Sequence, residues 1–374
     1  MKRTDFSVDW LFAACAPDTE LLPWNAQFTP VDLPHDWQIR HADDLYRDGT
    51  LFYRKYFFVT DVPGTRRMLW FGGAYMDTTV FVNGTEVGQW KYGYTSFWFD
   101  ITDALHEGQN EVLVRCNLRH PNSRWYSGAG LYRNVELWEA PDLHLMPDGL
   151  YVAAKEGDNG AWTVAVTAEA GSVTAASTGR TLTLHLTDDN GSLLGTAAIP
   201  ADAWAALPSP DGWRTGKETT IYKASHTFTL QDPALWDLDA PSFYHITAEL
   251  TGADGVTDTL TTRFGCRTIE ATPDCGLLVN HKRVLIKGVC IHHDFGCLGS
   301  AFEYSAAKRQ LEILKSMGVN SIRTGHTPPA PQFMDLADEM GILMDVESFD
   351  CWRSGKNPYD YGRFFDEWQE KDVA

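Results

Sequence analysis

The sequence has no run of about 18 apolar residues, so no transmembrane helix is expected. It has no basic block either: 31 lysines and arginines against 50 acidic residues leave a formal charge of −19. So acidic a balance argues against nucleic acid and anionic membrane surfaces as partners. The seven cysteines (Cys15, Cys116, Cys266, Cys275, Cys290, Cys297 and Cys351) are scattered and odd in number, and no C-x-x-C pair is present. Reduced thiols in a cytoplasmic protein fit that pattern better than a disulfide framework. The start, Met1-Lys2-Arg3-Thr4-Asp5, is basic, but the acidic Asp5 and Asp9 break the apolar run that a secretory signal would need, so it does not read as one. Composition leaves homo-oligomer formation open.

Apolar and aromatic residues are plentiful, at 44% and 13% of 374 residues, which suffices for a large core in two or three domains. Residues 1–141 read as all-β, with strand-like runs at 51–59, 66–71, 78–82, 94–101, 111–118 and 135–138. Asn83-Gly84 between two such runs is a hairpin signal. Frequent glycines and aromatics between strands suit a β-sandwich of jelly-roll type. Residues 142–272 read as a smaller, immunoglobulin-like β-sandwich, with runs at 162–168, 180–186, 222–230, 245–250 and 258–263 and a second hairpin signal at Asn190-Gly191. The insert 201–216, rich in Ala, Pro and Trp, reads as a loop. No chemistry is visible there, and the expected role is to space and brace the neighbours.

From about Pro273 the period changes. Residues 284–292 form a near-continuous apolar run, as a strand buried on both faces should. A helix is expected over 305–317, with Leu311, Leu314 and Met317 inward and Gly318 past its end. Ser321, Ile322 and Arg323 form a short strand, followed by a loop with Gly325, His326 and three prolines. Phe333, Leu336, Ala337 and Met340 then make one apolar helical stripe that Gly341 ends, and 342–346 is a buried strand delivering Glu347 and Asp350. Strand–helix repeats of this kind open a (β/α)₈ TIM barrel, with polar residues just past the strands where such barrels place their chemistry. Residues 273–374 hold three of the eight units, with a further helix from about Phe364.

Asn320, Arg323, Thr324, Gly325, His326, Pro328, Phe333, Met334, Asp338 and Gly341 fall in register with the signature of glycoside hydrolase family 2, which this stretch resembles. Gly325 stands where Ser, Ala or Cys is usual, Thr327 replaces Tyr, and Val346 rather than Asp precedes Glu347. Leu33-Pro34-His35-Asp36-Trp37, Phe52-Tyr53-Arg54-Lys55, Phe81-Val82-Asn83-Gly84 and the run 123–135 resemble the family's N-terminal sugar-binding domain. Asp232-Pro233-Ala234-Leu235-Trp236 and Pro241-Ser242-Phe243-Tyr244 resemble its immunoglobulin-like domain. The resemblance covers nearly the whole chain.

A sugar offers many hydroxyls and a weakly apolar face, which His, Asp, Glu, Arg and Trp suit. His292, His293 and Asp294 end the first barrel strand; alternation turns His292 inward and His293 toward the helices. His292 and Asp294 read either as hydroxyl-binding groups or as structural ones, and adjacent residues rarely share a face as metal ligands would need. Arg323 needs carboxylate partners, for which Glu347 and Asp350 are available. The resemblance implies that His326 contacts the sugar and that the loop with Arg124, Trp125 and Tyr126 reaches the pocket rim; that loop reads equally as a cation–π-packed connection. Trp352 suits stacking on a sugar face or a core position under the rim.

Retaining glycosidases use two carboxyl groups about 5–5.5 Å apart. The resemblance implies an acid/base Glu after Asn on the fourth barrel strand and a nucleophilic Glu on the seventh, and neither strand falls within the chain. The single Asn-Glu dipeptide, Asn110-Glu111, opens a strand of the first sandwich and reads as structural. No catalytic residue, metal or cofactor is therefore assigned. The implied function is that of the N-terminal portion of a retaining exo-β-glycosidase acting on a carbohydrate, a β-galactosidase before a β-glucuronidase or β-mannosidase. The alternative is a non-catalytic carbohydrate-binding module.

Overall fold

The computed structural model describes residues 1–41, 43–60, 64–172, 179–208, 220–252 and 255–373. Two sheets form the first sandwich. One runs Thr29–Val31, Trp10–Cys15, Gly49–Val59, Gly108–Leu118, Thr78–Val82, Thr85–Trp90; the other runs Lys2–Asp5, Val135–Pro141, Thr65–Phe71, Phe97–Asp100. In Gly108–Leu118 the alternate residues Asn110, Val112, Val114, Cys116 and Leu118 are buried, the period of a strand with one face on a core. Leu69 and Phe71 enter the same core from the second sheet, while Met68 and Trp70 turn to its other face, where Trp70 stacks on Trp138. Each such side chain contributes roughly 1.5–3 kcal/mol by leaving water. Asn83 and Gly84 both take positive φ (49° and 80°), as a tight hairpin turn requires. The strands Lys2–Asp5, Trp10–Cys15, Thr29–Val31 and Thr85–Trp90 were not expected; three of them are edge strands, too short or too polar to alternate clearly.

The second sandwich packs the sheet His144–Glu156, Ala161–Ser172, Thr220–Gln231, Ala205–Pro208 on the sheet Leu193–Pro200, Thr181–Asp188, Tyr244–Gly252, Gly255–Phe264 around one apolar cluster. The insert expected as a loop is partly strand: Ala205–Pro208 adds to the sheet edge against Thr220 to Lys223, the edge being where a strand ending in Pro is tolerated. Residues 209–216 of that insert lie outside the described residues.

The barrel segment has a parallel sheet of Gly288–Ile291, Ser321–Thr324 and Leu343–Val346, backed by the helices Tyr304–Ser316 and Pro331–Glu339. Val289, Ile322 and Met344 face the helices, against Leu311, Phe333 and Leu336. The run 284–292 is not one strand. The hairpin Gly276–Val279 and Lys282–Arg283 holds the chain as far as Val284, whose N–H donates to Leu277 O, so Leu285 and Ile286 stay exposed and the parallel ladder starts only at Gly288. Met317 is likewise exposed. It caps the helix after Leu311 and Leu314 have used the apolar face, and Lys315 turns in instead, its Nζ donating to the carbonyls of Leu238, Met340 and Gly341. Gly341, at φ 63°, passes so close to Leu238 that a Cβ would sit 2.2 Å from its carbonyl oxygen.

The sandwich and the barrel segment are bound to each other. Phe302 N–H donates to Tyr132 O at 2.9 Å, Arg133 to Pro328 O at 3.2 Å and Tyr92 OH to Ser348 O at 2.6 Å. Tyr361 and Phe365, the latter opening the helix Phe365–Val373, are part of the first sandwich's own core. Among the described residues no helix is long and apolar enough to cross a membrane.

Candidate functional site

Strand register puts Cys290, Arg323 and Asp345 side by side on the face away from the helices. His292 and Glu347 continue that face past the strand ends. His292 Nδ1 meets Gly325 O at 2.5 Å, and Arg323 Nε donates to Glu347 Oε1 at 2.8 Å with its Nη2 on the same oxygen. His326 Nδ1 lies 2.9 Å from Glu347 Oε2 and 3.3 Å from Arg323 Nη2. Burial works to raise the Glu347 pKa, but the hydrogen bonds from Arg323 and His326 outweigh it and hold the carboxyl below its ordinary value. Such a group is an anchor, since a general acid needs its pKa raised.

The rim comes from the first sandwich. Trp125 lies parallel to the His292 ring, with centroids 5.7 Å apart at 6°, and tilts against His326 at 5.2 Å. Arg124 Nη2 donates to Asp350 Oδ1 at 2.5 Å, and Lys356 Nζ to the same oxygen at 2.8 Å. Burial would raise the Asp350 pKa; hydrogen bonds from Lys356, Arg124 and Cys351 bring it below the ordinary range instead. Arg124, Arg323, His326, Glu347, Asp350, Trp352 and Lys356 share one open cleft of ≈ 680 Å³. Trp352 stands at its edge, 65% exposed, in place of the core position also weighed for it.

Three models of one family match in succession: glycosyl hydrolases family 2, sugar binding domain, over residues 23–141; glycosyl hydrolases family 2 over 148–267; and glycosyl hydrolases family 2, TIM barrel domain, over 271–363. The chain belongs to glycoside hydrolase family 2. The β-galactosidase BoGH2A of Bacteroides ovatus is 35% identical over 391 aligned positions, covering 100% of this chain and 44% of that protein. A β-glucuronidase of Bacteroides fragilis is 27% identical, covering 87% and 48%. The crystal structure of a family 2 member from Bacteroides cellulosilyticus superposes with TM-score 0.86 at 29% identity, covering 100% of this chain and 49% of that one. The chain spans about half the length of the relatives it matches.

Within this family 2 chain, nine residues were expected at the site, and eight come together around the barrel mouth: Arg124, Trp125, His292, Arg323, His326, Glu347, Asp350 and Trp352. Asp294 does not join them. It lies near Tyr126, whose hydroxyl burial pushes above its usual range with Asp36 and Asp294 adding to the effect. His293 points off the interior, as alternation requires, but toward the first sandwich more than the helices. Its Nε2 meets Ser127 O at 3.0 Å and its ring packs on Tyr94 and Tyr132. Burial pushes its pKa down to about 3. Asn110 ties down the Asn83 turn, and Glu111 pairs with Arg54 at 3.1 Å, both on the sandwich. Lys356 and Gln369 also line the cleft. No periodicity flags the loop around Lys356. Among the described residues no group of three or more His, Cys, Asp or Glu is placed to hold a metal.

Proposed function

We propose that these residues build one side of the sugar pocket of a retaining exo-β-glycosidase whose preferred substrate is a terminal β-galactoside. The observation that carries the reading is the Arg323–Glu347–His326 cluster, capped by Trp125 over His292 at the barrel mouth. Glu347 fixes Arg323 and His326 in place, which leaves the remaining N–H groups of Arg323 and the Nε2 of His326 for sugar hydroxyls, and the faces of Trp125 and Trp352 suit the apolar side of a pyranose. Glu347 and Asp350 do not make up the catalytic pair of a retaining glycosidase, because cations hold both ionised and neither can serve as its general acid. The acid/base and nucleophile belong to later barrel strands in family 2, and they complete the site there. The parts of the chain take the limits 1–141, 142–272 and 273–374, the first contributing the rim, the second bracing, the third the pocket. The β-galactosidase of Bacteroides ovatus supports the choice of sugar.

One observation favours a β-glucuronidase as the second reading. Three cations (Arg124, Arg323, Lys356) face two carboxylates (Glu347, Asp350) in the cleft, a balance that suits a sugar bearing a carboxylate. The test is to assay the protein encoded by the complete reading frame on chromogenic β-galactoside, β-glucuronide and β-mannoside. The β-galactoside is expected to give the highest kcat/KM. A preference for the β-glucuronide overturns the choice of sugar, and turnover of none overturns the glycosidase reading in favour of a binding module.

A further inference from the structure

We propose that Asp36 is a positioning residue that sets Trp125 over His292, by clasping the sandwich rim to the barrel beside the contact of His293 Nε2 with Ser127 O. Asp36 lies in the Leu33-Pro34-His35-Asp36-Trp37 stretch, for which the pocket itself has no use. It is 3% exposed and touches none of the cleft residues. Its two carboxylate oxygens accept five hydrogen bonds from three segments. Oδ2 takes Tyr126 OH at 2.6 Å, Ser300 N–H at 2.8 Å and Ser300 Oγ at 3.0 Å. Oδ1 takes Ala129 N–H at 3.1 Å and Gln38 N–H at 2.9 Å. Tyr126 follows Trp125 directly in the rim loop, and Ser300 ends the loop that begins at His292. One carboxylate, with the His293 Nε2–Ser127 O contact, therefore ties together the two segments whose rings stack at 5.7 Å.

The approach is as close as backbone allows. A Cβ on Gly128, at φ +67°, would sit 1.8 Å from Ser300 Oγ, and one on Gly299, at φ +63°, 2.3 Å from Asp36 Oδ2. Trp37 N–H to Ala129 O (2.9 Å) and His35 N–H to Leu131 O (2.8 Å) bind the two sandwich segments alongside. The Trp125 carbonyl accepts from Ser123 Oγ at 2.6 Å, but among the described residues the indole itself has no hydrogen bond to orient it, since its buried Nε1 has no partner. On the other flank the side-chain tie to the barrel segment is Arg124 to Asp350, and the Arg124 side chain is 51% exposed. The orientation of the indole is thus inherited from the backbone at 126–129. A carboxylate suits the task because every donor around it needs an acceptor, and an amide of the same shape would turn an NH₂ toward one of them.

The inference rests on the sugar-pocket reading only for what the stacked rings are for, and its test does not use a sugar. In the 374-residue chain with ¹³C-labelled histidine, the His292 ring proton resonance, identified by its loss in His292→Gln, is expected upfield under the indole face. Trp125→Ala should move it downfield. Asp36→Asn should move it the same way by at least half as much, and should move it no further in a Trp125→Ala background. Tyr126→Phe, which removes one of the five donors and keeps the ring, should give a smaller shift of the same sign. The clasp is overturned if Asp36→Asn, or Tyr126→Phe where the first variant does not fold, lowers Tm but leaves the resonance in place. It is also overturned if the shift persists undiminished without Trp125, because Asp36 would then reach His292 by another route.

Discussion

In the first sandwich Val112, Val114, Cys116 and Leu118 alternate into a core with no exposure, whereas on the matching face of the barrel sheet Cys290 and Asp345 are exposed and Arg323 lines the open cleft. The sandwich is held by area removed from water. The barrel face is held by ion pairs and by a loop lent from the sandwich, through Arg323 to Glu347 and Arg124 to Asp350. The lesson is that the chemistry-bearing groups sit where apolar packing does not reach, so their positions depend on partners from other parts of the chain. Phe365, with Tyr361, joins the two regions, lying in the barrel segment's last helix yet buried in the sandwich core.

The contrast is broken most severely there. Phe365→Ala is expected to destabilise the sandwich by about 3–5 kcal/mol, as large-to-small core substitutions do, while Trp352→Ala, at the exposed rim, should change stability by about 0.5 kcal/mol or less. Urea unfolding followed by tryptophan fluorescence checks both; equal effects would mean that Phe365 is no part of that core.

A smaller effect concerns the seam between the regions. His293, with its pKa pushed down to about 3, is kept neutral by the fold, while the unfolded chain takes up a proton near pH 6.5. The unfolded state then binds more protons than the folded one as pH falls from about 6.5 toward 3, so stability falls over that window and is regained above it. His293→Gln should flatten the slope of stability against pH in that range by up to about one proton. His35, pushed down to about 4 by burial inside the sandwich, adds to the slope with the same sign and supplies the comparison. An unchanged slope in His293→Gln would show that the seam is not where the acid sensitivity lies.

The smallest effect is the most specific. In the complete enzyme His326→Ala should lower kcat/KM by about 10- to 100-fold, the loss of a hydrogen bond of roughly 1–3 kcal/mol, with Tm little changed. A collapse of Tm with kcat/KM intact would assign His326 to structure.

The three-part architecture was legible because each region has its own period: two for the strands, 3.6 for the helix carrying Phe333, Leu336 and Ala337. Arg323 and Glu347 were legible as partners because a cation at a strand end needs a carboxylate, and the next strand supplies one. The packing of Trp125 on His292 was not, because 167 positions of sequence separate them and contacts across the seam, from Asp36 and from His293 to Ser127, bring them together. Strands such as Ala205–Pro208 and the break before Gly288 were missed because sheet edges and hairpins, not local pattern, decide them.

On the proposed function, the cleft at Glu347 binds and orients a sugar without cleaving it. The direct measurement is hydrolysis of chromogenic β-galactoside, β-glucuronide and β-mannoside by the 374-residue chain beside its Glu347→Gln variant. No turnover by either is predicted, because Glu347 and Asp350 are both held by cations and neither can supply the proton that the leaving group needs. Turnover by the unaltered chain that disappears in Glu347→Gln would contradict the claim and make Glu347 a reacting group.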